Sequence, residues 1–441
     1  MSPADWDRLQ YYSRKVKFFE AFYDDDPVVD PSTYFRIAQL RSSVLFPSLR
    51  HLKYSLDDNS ISRSYIFLFL SPLLDSLELC NIGGFENTIV APFLVTLASE
   101  SQMLSQLVLQ SGQISVDILE KSVVHFTHLR SLKLLDAVFM GDFVLLEVLG
   151  ALPSLANLTL KATDPASHPA HAPENSNSPW QSGAPKYFEA LESLCVTGSI
   201  FLIQHLLGFI DSPCIKSLEI YPVFYLRKQD PDDLSTPSMT TSMKIVASKW
   251  SQSLKSLVID SSTTTSNSDP LLAQRCAMLK SLILTAFNEM QTFHLKGWWI
   301  KNLNDDVRCL VMSWPKLKSL RVLPLTGNRR RPETFISFST LRIIAENCPE
   351  LRYLHIQLDI SIVPPFDTSS KSLHHNLEVL TVGKALTDRT SLKCQIQVTR
   401  HLDSIFPYLK SIEVQPKGDV TWSGIRDLVH LCQDVSLRRV K

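Results

Sequence analysis

Histidine and cysteine are the side chains with which this chain could do metal or nucleophilic chemistry. His125 and His128 stand three residues apart, and so do His168 and His171, a spacing that lets two imidazoles share an ion. Tetrahedral zinc takes four ligands. No cysteine or carboxylate framework stands beside either pair, so no metal is expected. The eight cysteines are spread over the whole length without a CxxC pair, which indicates reduced, buried thiols rather than disulfides or a zinc site. Cys80, Cys195 and Cys348 fall at or beside expected strands, where small apolar packing explains them better than catalysis. No phosphate loop, GxSxG elbow, HExxH pair or dinucleotide-binding turn occurs. Thirteen glycines also leave little material for loops that cradle phosphates. The segment GWWIKNLNDD (297–306) is expected to be a helix burying Trp298 and Trp299. The chain is expected to be no enzyme and to hold no cofactor.

What the sequence does contain is a repeat. The pattern L-x-x-L-x-(L/I/V) recurs from FPSLRHLKY (46–54) to FPYLKSIEV (406–414). Its first apolar positions are Leu49, Leu74, Leu104, Leu129, Leu155, Leu191, Ile215, Leu254, Leu279, Leu317, Leu351, Leu377 and Leu409. Six of the twelve intervals are 24–26 residues, the period of a leucine-rich repeat. The longer intervals read as the same unit with inserted loops.

Within each copy the last two apolar residues alternate with polar ones, as a strand with one buried face requires. The segments between have helical spacing instead: Val116, Leu119, Val123 and Phe126; Ile200, Ile203, Leu207 and Ile210; Ile425, Leu428, Val429 and Cys432. Pro47, Pro153, Pro315, Pro349 and Pro407 stand before the strands. Proline has no amide hydrogen for a helix and pushes its predecessor to extended geometry. Parallel strands joined by helical crossovers follow, and a single unit can bury its apolar face only against neighbours. The expected fold is therefore α/β: a curved leucine-rich-repeat solenoid with parallel strands on the concave face, helices on the convex face and an N-terminal capping helix. The asparagine that usually bonds backbone after each strand is not regularly present.

The cap is expected over 1–22, with Ser2 as N-cap, Pro3 in the first turn and a stripe of Trp6, Leu9, Tyr12, Val16 and Phe19. At about 150 residues per domain the length would suggest three domains. The repeats suggest instead a cap and linker over 1–45 and one elongated domain of about thirteen irregular repeats over 46–441. Polar insertions at 161–185, 229–238, 260–270 and 326–333 have the composition of exposed loops. They contain Trp180 and Arg329–Arg331 as the residues that could touch a partner.

With 44 basic and 44 acidic residues the formal charge is zero, which indicates neither a polybasic nucleic-acid binder nor an acidic tail. No segment approaches the roughly 18 apolar residues of a membrane helix, and the opening lacks the pattern of a secretory signal. A cytoplasmic or nuclear location and a monomer are expected. The sequon at Asn157 falls in an expected strand and is taken as inaccessible.

The polar strand positions are the expected binding surface. Just before the second apolar residue serine dominates (Ser76, Ser131, Ser193, Ser256, Ser319, Ser411), with Tyr353 the large exception. Just after it stand Lys53, Glu78, Val108, Lys133, Glu219, Val258, Ile283, Arg321, His355 and Glu413, among others. The charges in this column balance, so no field of one sign is expected. Lys53, Glu78, Lys133, Glu219, Arg321, Tyr353, His355 and Glu413 are the candidate protein-binding residues. Arg50, Arg130, Lys216, Lys255, Lys280, Lys318, Arg352 and Lys410 follow the first anchors as a basic rim.

The segment CPELRYLHI (348–356) resembles the Cys-Pro-x-Leu-x-x-Leu strand opening of the cysteine-containing repeat subtype, with Cys276 and Cys348 in the matching place. The opening run from Trp6 through Arg8, Tyr11 and Tyr12 to Lys17 is similar to the Trp-x-Arg-Phe-x-x-Tyr segment that follows the F-box in fungal F-box/leucine-rich-repeat proteins of basidiomycete type. The repeat resemblance covers about 46–441. It implies a ubiquitin-ligase substrate receptor whose repeats hold the substrate and whose F-box binds a cullin-ligase adaptor. No Leu-Pro-x-Glu-Ile helix opening occurs in this chain. An adaptor is therefore expected as a partner only if an F-box lies upstream, and no adaptor-contact residue is carried over. The alternative is a stand-alone repeat scaffold that binds a protein with no link to ubiquitination.

Overall fold

The computed structural model describes residues 3–21, 44–56, 63–83, 87–111, 116–137, 143–162, 187–223, 239–261, 287–298, 300, 302–324, 335–366, 373–383, 391–415 and 419–440. Each repeat opens on a tight turn that ends the preceding helical stretch. The amide of the apolar anchor donates three residues back, Leu49 to the Phe46 carbonyl, Leu129 to Phe126 and Leu351 to Cys348, at 3.1, 3.0 and 3.0 Å. The next residue's carbonyl then accepts two amides of the following repeat. Arg50 O takes Asp75 N at 2.8 Å and Ser76 N at 2.9 Å, and Lys318 O takes Arg352 N and Tyr353 N at 2.9 and 3.1 Å. Within each unit this shared acceptor sets a strand in register with the one before it.

The chain forms two compact units, Met1–Ile215 and Lys216–Lys441. In the first, α1 (Pro3–Ser13) precedes β1 (Phe18–Ala21), β2 (His51–Ser55), β3 (Ser76–Ile82), β4 (Gln106–Ser111), β5 (Ser131–Ala137), β6 (Asn157–Ala162) and β7 (Ser193–Gly198). These strands are parallel and lie in chain order. A 3-10 segment (Arg63–Phe69), α2 (Asn87–Glu100), α3 (Val116–Val123) and α4 (Phe143–Gly150) connect them, and α5 (Ile200–Phe209) follows. In the second unit β8 (Ser217–Pro222), β9 (Ser256–Asp260), β10 (Thr292–Trp298), β11 (Ser319–Pro324), β12 (Tyr353–Ile356), β13 (Val379–Val382) and β14 (Ser411–Val414) repeat the arrangement. Its helices are α6 (Met239–Trp250), α7 (Leu303–Ser313), α8 (Phe338–Asn347), α9 (Leu392–Ile405) and α10 (Val420–Val440). Parallel strands stacked in chain order with helical crossovers make this an α/β leucine-rich-repeat solenoid fold.

The core is the repeat pattern made solid. Leu49, Leu74, Leu104, Leu129, Leu155, Leu191, Ile215, Leu254, Leu317, Leu351, Leu377 and Leu409 are all buried. So are the inward strand residues, among them Leu77, Leu132, Leu218, Leu257, Leu320 and Leu380. Burying such a side chain stabilises by about 1.5–3 kcal/mol. In the turns before the strands, buried serines tie neighbouring repeats together: Ser101 Oγ donates to Ser71 O, and Ser212 Oγ to Leu191 O at 2.7 Å. Ser199, Ser337 and Ser391 cap α5, α8 and α9, each accepting the first-turn amide three residues on at 3.3 Å.

Four expectations are corrected. The cap helix stops at Ser13, and a turn delivers Lys17 O to Arg50 N and His51 N, so Phe18–Ala21 becomes the first strand. Phe19 packs on Phe46 and Phe69 from that strand, while Tyr12 is exposed. Trp6, Leu9, Gln10 and Ser13 of α1 line a shallow cleft with Val44, Leu45 and Pro47. Next, the pattern at 277–284 is not the tenth strand: β9 pairs with β8 on one side and directly with β10 on the other. Met290, fully buried, is the anchor there, and Phe293 and Leu295 point inward. Third, Trp298 ends β10 instead of lying on a helix, and α7 begins only at Leu303. Gly297, at φ 77°, lets the strand bulge between Lys296 and Trp298 so that the indole turns into the core. Last, Asn157 lies on β6 as expected, yet its side chain is exposed.

Ser2, Trp180, His168, His171, Cys276, Leu279, Lys280, Ile283, Trp299 and Arg329–Arg331 lie outside the described residues, as do most of the four insertions.

Candidate functional site

Along each strand the inward leucines alternate with side chains on the open face, so parallel registration lines these outward residues into rows. In the first unit the central row runs Glu20, Lys53, Glu78, Val108, Lys133, Thr159, Cys195 across β1 to β7. Lys53 lies between two acids, with Nζ 3.4 Å from Glu20 and 3.3 Å from Glu78. The hydrogen bond to Glu78 is the main cause of its raised pKa. Glu78 also accepts from the Cys80 thiol at 3.5 Å. Lys133 stands two strands from Glu78, with Val108 between them. The first unit thus brings Lys53 and Glu78 together, adds Glu20, and leaves Lys133 apart. Glu20 was hidden in the sequence by the expected cap helix.

The second unit's row runs Glu219, Val258, His294, Arg321, His355, Thr381, Glu413 across β8 to β14. Here the misplaced repeat matters chemically. The position expected for Ile283 is taken by His294, so Arg321 has an imidazole on each side. His294 Nε2 lies 3.0 Å from Ser319 Oγ. Burial first, then the charge of Arg321, lowers the pKa of both histidines, that of His355 to about 4. Tyr353, 51% exposed, shares the open face of β12 with His355. Arg321, Tyr353 and His355 are therefore brought together. Glu219 and Glu413 sit three strands away on either side, Glu219 accepting from Tyr221 OH at 3.0 Å and Glu413 from Thr381 Oγ1 at 3.3 Å. One pleat further along, Lys296 pairs with Asp260 at 3.3 Å.

The rim is present in the same unit as Lys216, Lys255, Gln291, Lys318, Arg352, Glu378 and Lys410, linked by their shared backbone acceptors. Glu378 bridges Arg352 at 3.4 Å and Lys410 at 3.2 Å. His294 and Lys296 could have been found by accepting methionine and phenylalanine in the repeat, since Met290-x-x-Phe293-x-Leu295 has its spacing.

Elsewhere the chemistry-bearing residues are placed as packing. Burial raises the Cys348 thiol to about 12, and it points at the carbonyls of Val311 and Trp314. Burial and Glu78 raise Cys80 to about 11. Thiols so protonated are poor nucleophiles. His125 and His128 are both exposed beside the turn into β5. Among the described residues no group of three or more His, Cys, Asp or Glu is disposed to hold a metal, and no helix is long and apolar enough to cross a membrane.

No protein-family model matches the chain, and none of the curated proteins does. Among solved structures, the yeast Rad7 and Elc1 complex contains a similar chain, 14% identical with a TM-score of 0.44, covering 94% of this chain and 92% of that one. The leucine-rich-repeat-containing protein LegL7 of Legionella pneumophila is 15% identical at a TM-score of 0.38, over 86% of this chain and 98% of its own. A Bacteroides fragilis protein is 12% identical at 0.34, over 64% and 65%. At these values the likenesses add nothing to the strand registers, on which the leucine-rich-repeat fold stands.

Proposed function

We propose that the chain is a protein-binding scaffold that holds a segment of its partner against the open face of the strands. The observation that carries this reading is the face of the second unit. Seven parallel strands there offer an exposed tyrosine, a guanidinium and two imidazoles in adjoining register positions, with acids and bases interspersed. Mixed charge with an aromatic at its centre suits a protein surface better than a polyanion. Among the described residues no constellation of side chains supports catalysis.

The finer reading is the substrate-recognition part of an F-box-like ubiquitin-ligase receptor, located in the cytoplasm or nucleus. It is supported by the resemblance of 348–356 and of the opening segment, which forms α1 and β1 leading into the first repeat. The division into a cap over 1–45 and a repeat domain over 46–441 belongs to the same reading. A stand-alone scaffold is the alternative, and co-purification with a cullin-ligase adaptor separates the two.

The face itself is tested by affinity capture with the full chain, an Arg321→Glu/Tyr353→Ala variant and Met312→Glu. Met312 is exposed on α7, away from the strands. Partners lost with the face variant and kept with Met312→Glu support the proposal. Partners lost only with Met312→Glu would place the binding surface on the helices.

A further inference from the structure

The centre of the second unit's face carries a positive charge that no carboxylate among the described residues pairs. Arg321 is half-buried, and its Nε is buried without a hydrogen-bond partner among the described residues. Among those residues no carboxylate forms an ion pair with it. The acids of its own row are engaged elsewhere, Glu219 by Tyr221 and Glu413 by Thr381. Asp260, one pleat on, is held by Lys296. A buried donor of a charged group left unsatisfied is costly, and on an open face a ligand can satisfy it.

We infer that Arg321, flanked by His294 and His355, receives an acidic side chain of the partner protein, so that the bound segment carries a single aspartate or glutamate at this point. The inference rests on the protein-binding reading above and names the chemistry of its ligand. Guanidinium matches a carboxylate with two parallel hydrogen bonds. The imidazoles stand one strand to each side, about 4.8 Å away, and offer ring N–H groups without adding charge. Their pKa values are lowered first by burial and then by the charge of Arg321, and an anion beside them would oppose the second cause. Tyr353 supplies an exposed ring beside the same spot.

The surroundings restrict the ligand further. Val258 and Thr381 stand between the two imidazoles and Glu219 and Glu413, which lie three strands from Arg321, about 14 Å at the usual strand spacing, with the charge of Glu219 still reaching His294. A polyanion lying along the row would meet both acids. A peptide segment would not, provided its acidic residue is flanked by bases. At about 3.3 Å per extended residue, those bases fall about four positions to each side. A nucleic-acid strand, with a charge at every nucleotide, lacks that alternation.

The test is selection of random 16-residue peptides by display on the full chain, followed by affinity measurements on the purified hits. Hits should carry one Asp or Glu with Lys or Arg to each side. Changing that acid to its amide, or Arg321→Gln in the protein, should each weaken binding about tenfold, the cost of one charged hydrogen-bonded pair. The two changes together should cost no more than either alone. A lysine in place of the peptide acid should bind Arg321→Glu better than the unaltered chain. If Arg321→Glu fails to fold, the cycle of Arg321→Gln and the peptide amide carries the test. Hits without an acid, or indifferent to Arg321→Gln, overturn the inference. If Tyr353→Ala still weakens such hits, the protein-binding face survives without it. If it does not, or if no peptide is enriched, both fall. A labelled single-stranded 20-nucleotide RNA that binds the unaltered chain and is released by Arg321→Gln would also overturn the inference, assigning the cluster to nucleic acid.

Discussion

His355 is held neutral by its surroundings, and that makes acid an opponent of the folded state. Burial is the main cause, followed by the charges of Arg321, His294 and Lys296, and the folded pKa falls to about 4 from the ordinary 6.5. Between those values the unfolded chain binds a proton that the folded chain refuses. The contribution is therefore complete above about pH 6.5 and is lost as pH falls towards 4. His294, lowered by the same first two causes, acts in the same direction. The denaturation midpoint should drop between pH 7.5 and pH 5, and His355→Gln should shrink that drop. An equal drop in the variant would show that the imidazole is not held as described. An acidic ligand at Arg321 would oppose the effect, by favouring the protonated rings.

At the scale of the element, β10 is where sequence and structure diverge. The anchors from Leu49 to Leu254 and from Leu317 to Leu409 were legible because leucine, a pre-strand turn and strict spacing coincide. Between them two segments compete. LKSLIL at 279–284 has the pattern in leucine and isoleucine, whereas MQTFHL at 290–295 has it in methionine and phenylalanine. Burial depends on volume and apolarity rather than on leucine itself, so the less regular segment is equally able to fill the repeat. The difference reaches the site as well as the fold, because His294 stands where the sequence pattern puts Ile283. Lys53, Glu78, Arg321, Tyr353 and His355 could be placed on the face from alternation alone. Their pairings could not, since these depend on which strands are neighbours. Two substitutions test the element. Phe293→Ala should destabilise by about 3–5 kcal/mol, as for a buried core aromatic. Gly297→Ala should cost about 1 kcal/mol or more, because φ 77° is strained for any residue with a Cβ. Chemical denaturation measures both, and near-neutral values would contradict the placement of β10.

For the whole molecule, repeats that contact only their sequence neighbours propagate stability from one to the next. Leu257, fully buried on β9 in the second unit, is the position from which to interrupt that chain of contacts. Leu257→Ala should cost about 2–5 kcal/mol and separate equilibrium unfolding of the full chain into two steps. A single transition shifted as a whole would show tighter coupling than a nearest-neighbour stack allows. Photo-crosslinking shows most directly whether the open strand face is the binding surface. A photoreactive phenylalanine is placed in the full chain either at Tyr353 on β12 or at Met312 on α7, 51% and 68% exposed. Each is illuminated with the display-selected peptide. A crosslink is expected from position 353 and none from 312; a crosslink from 312 with none from 353 would place the binding surface on the helices instead.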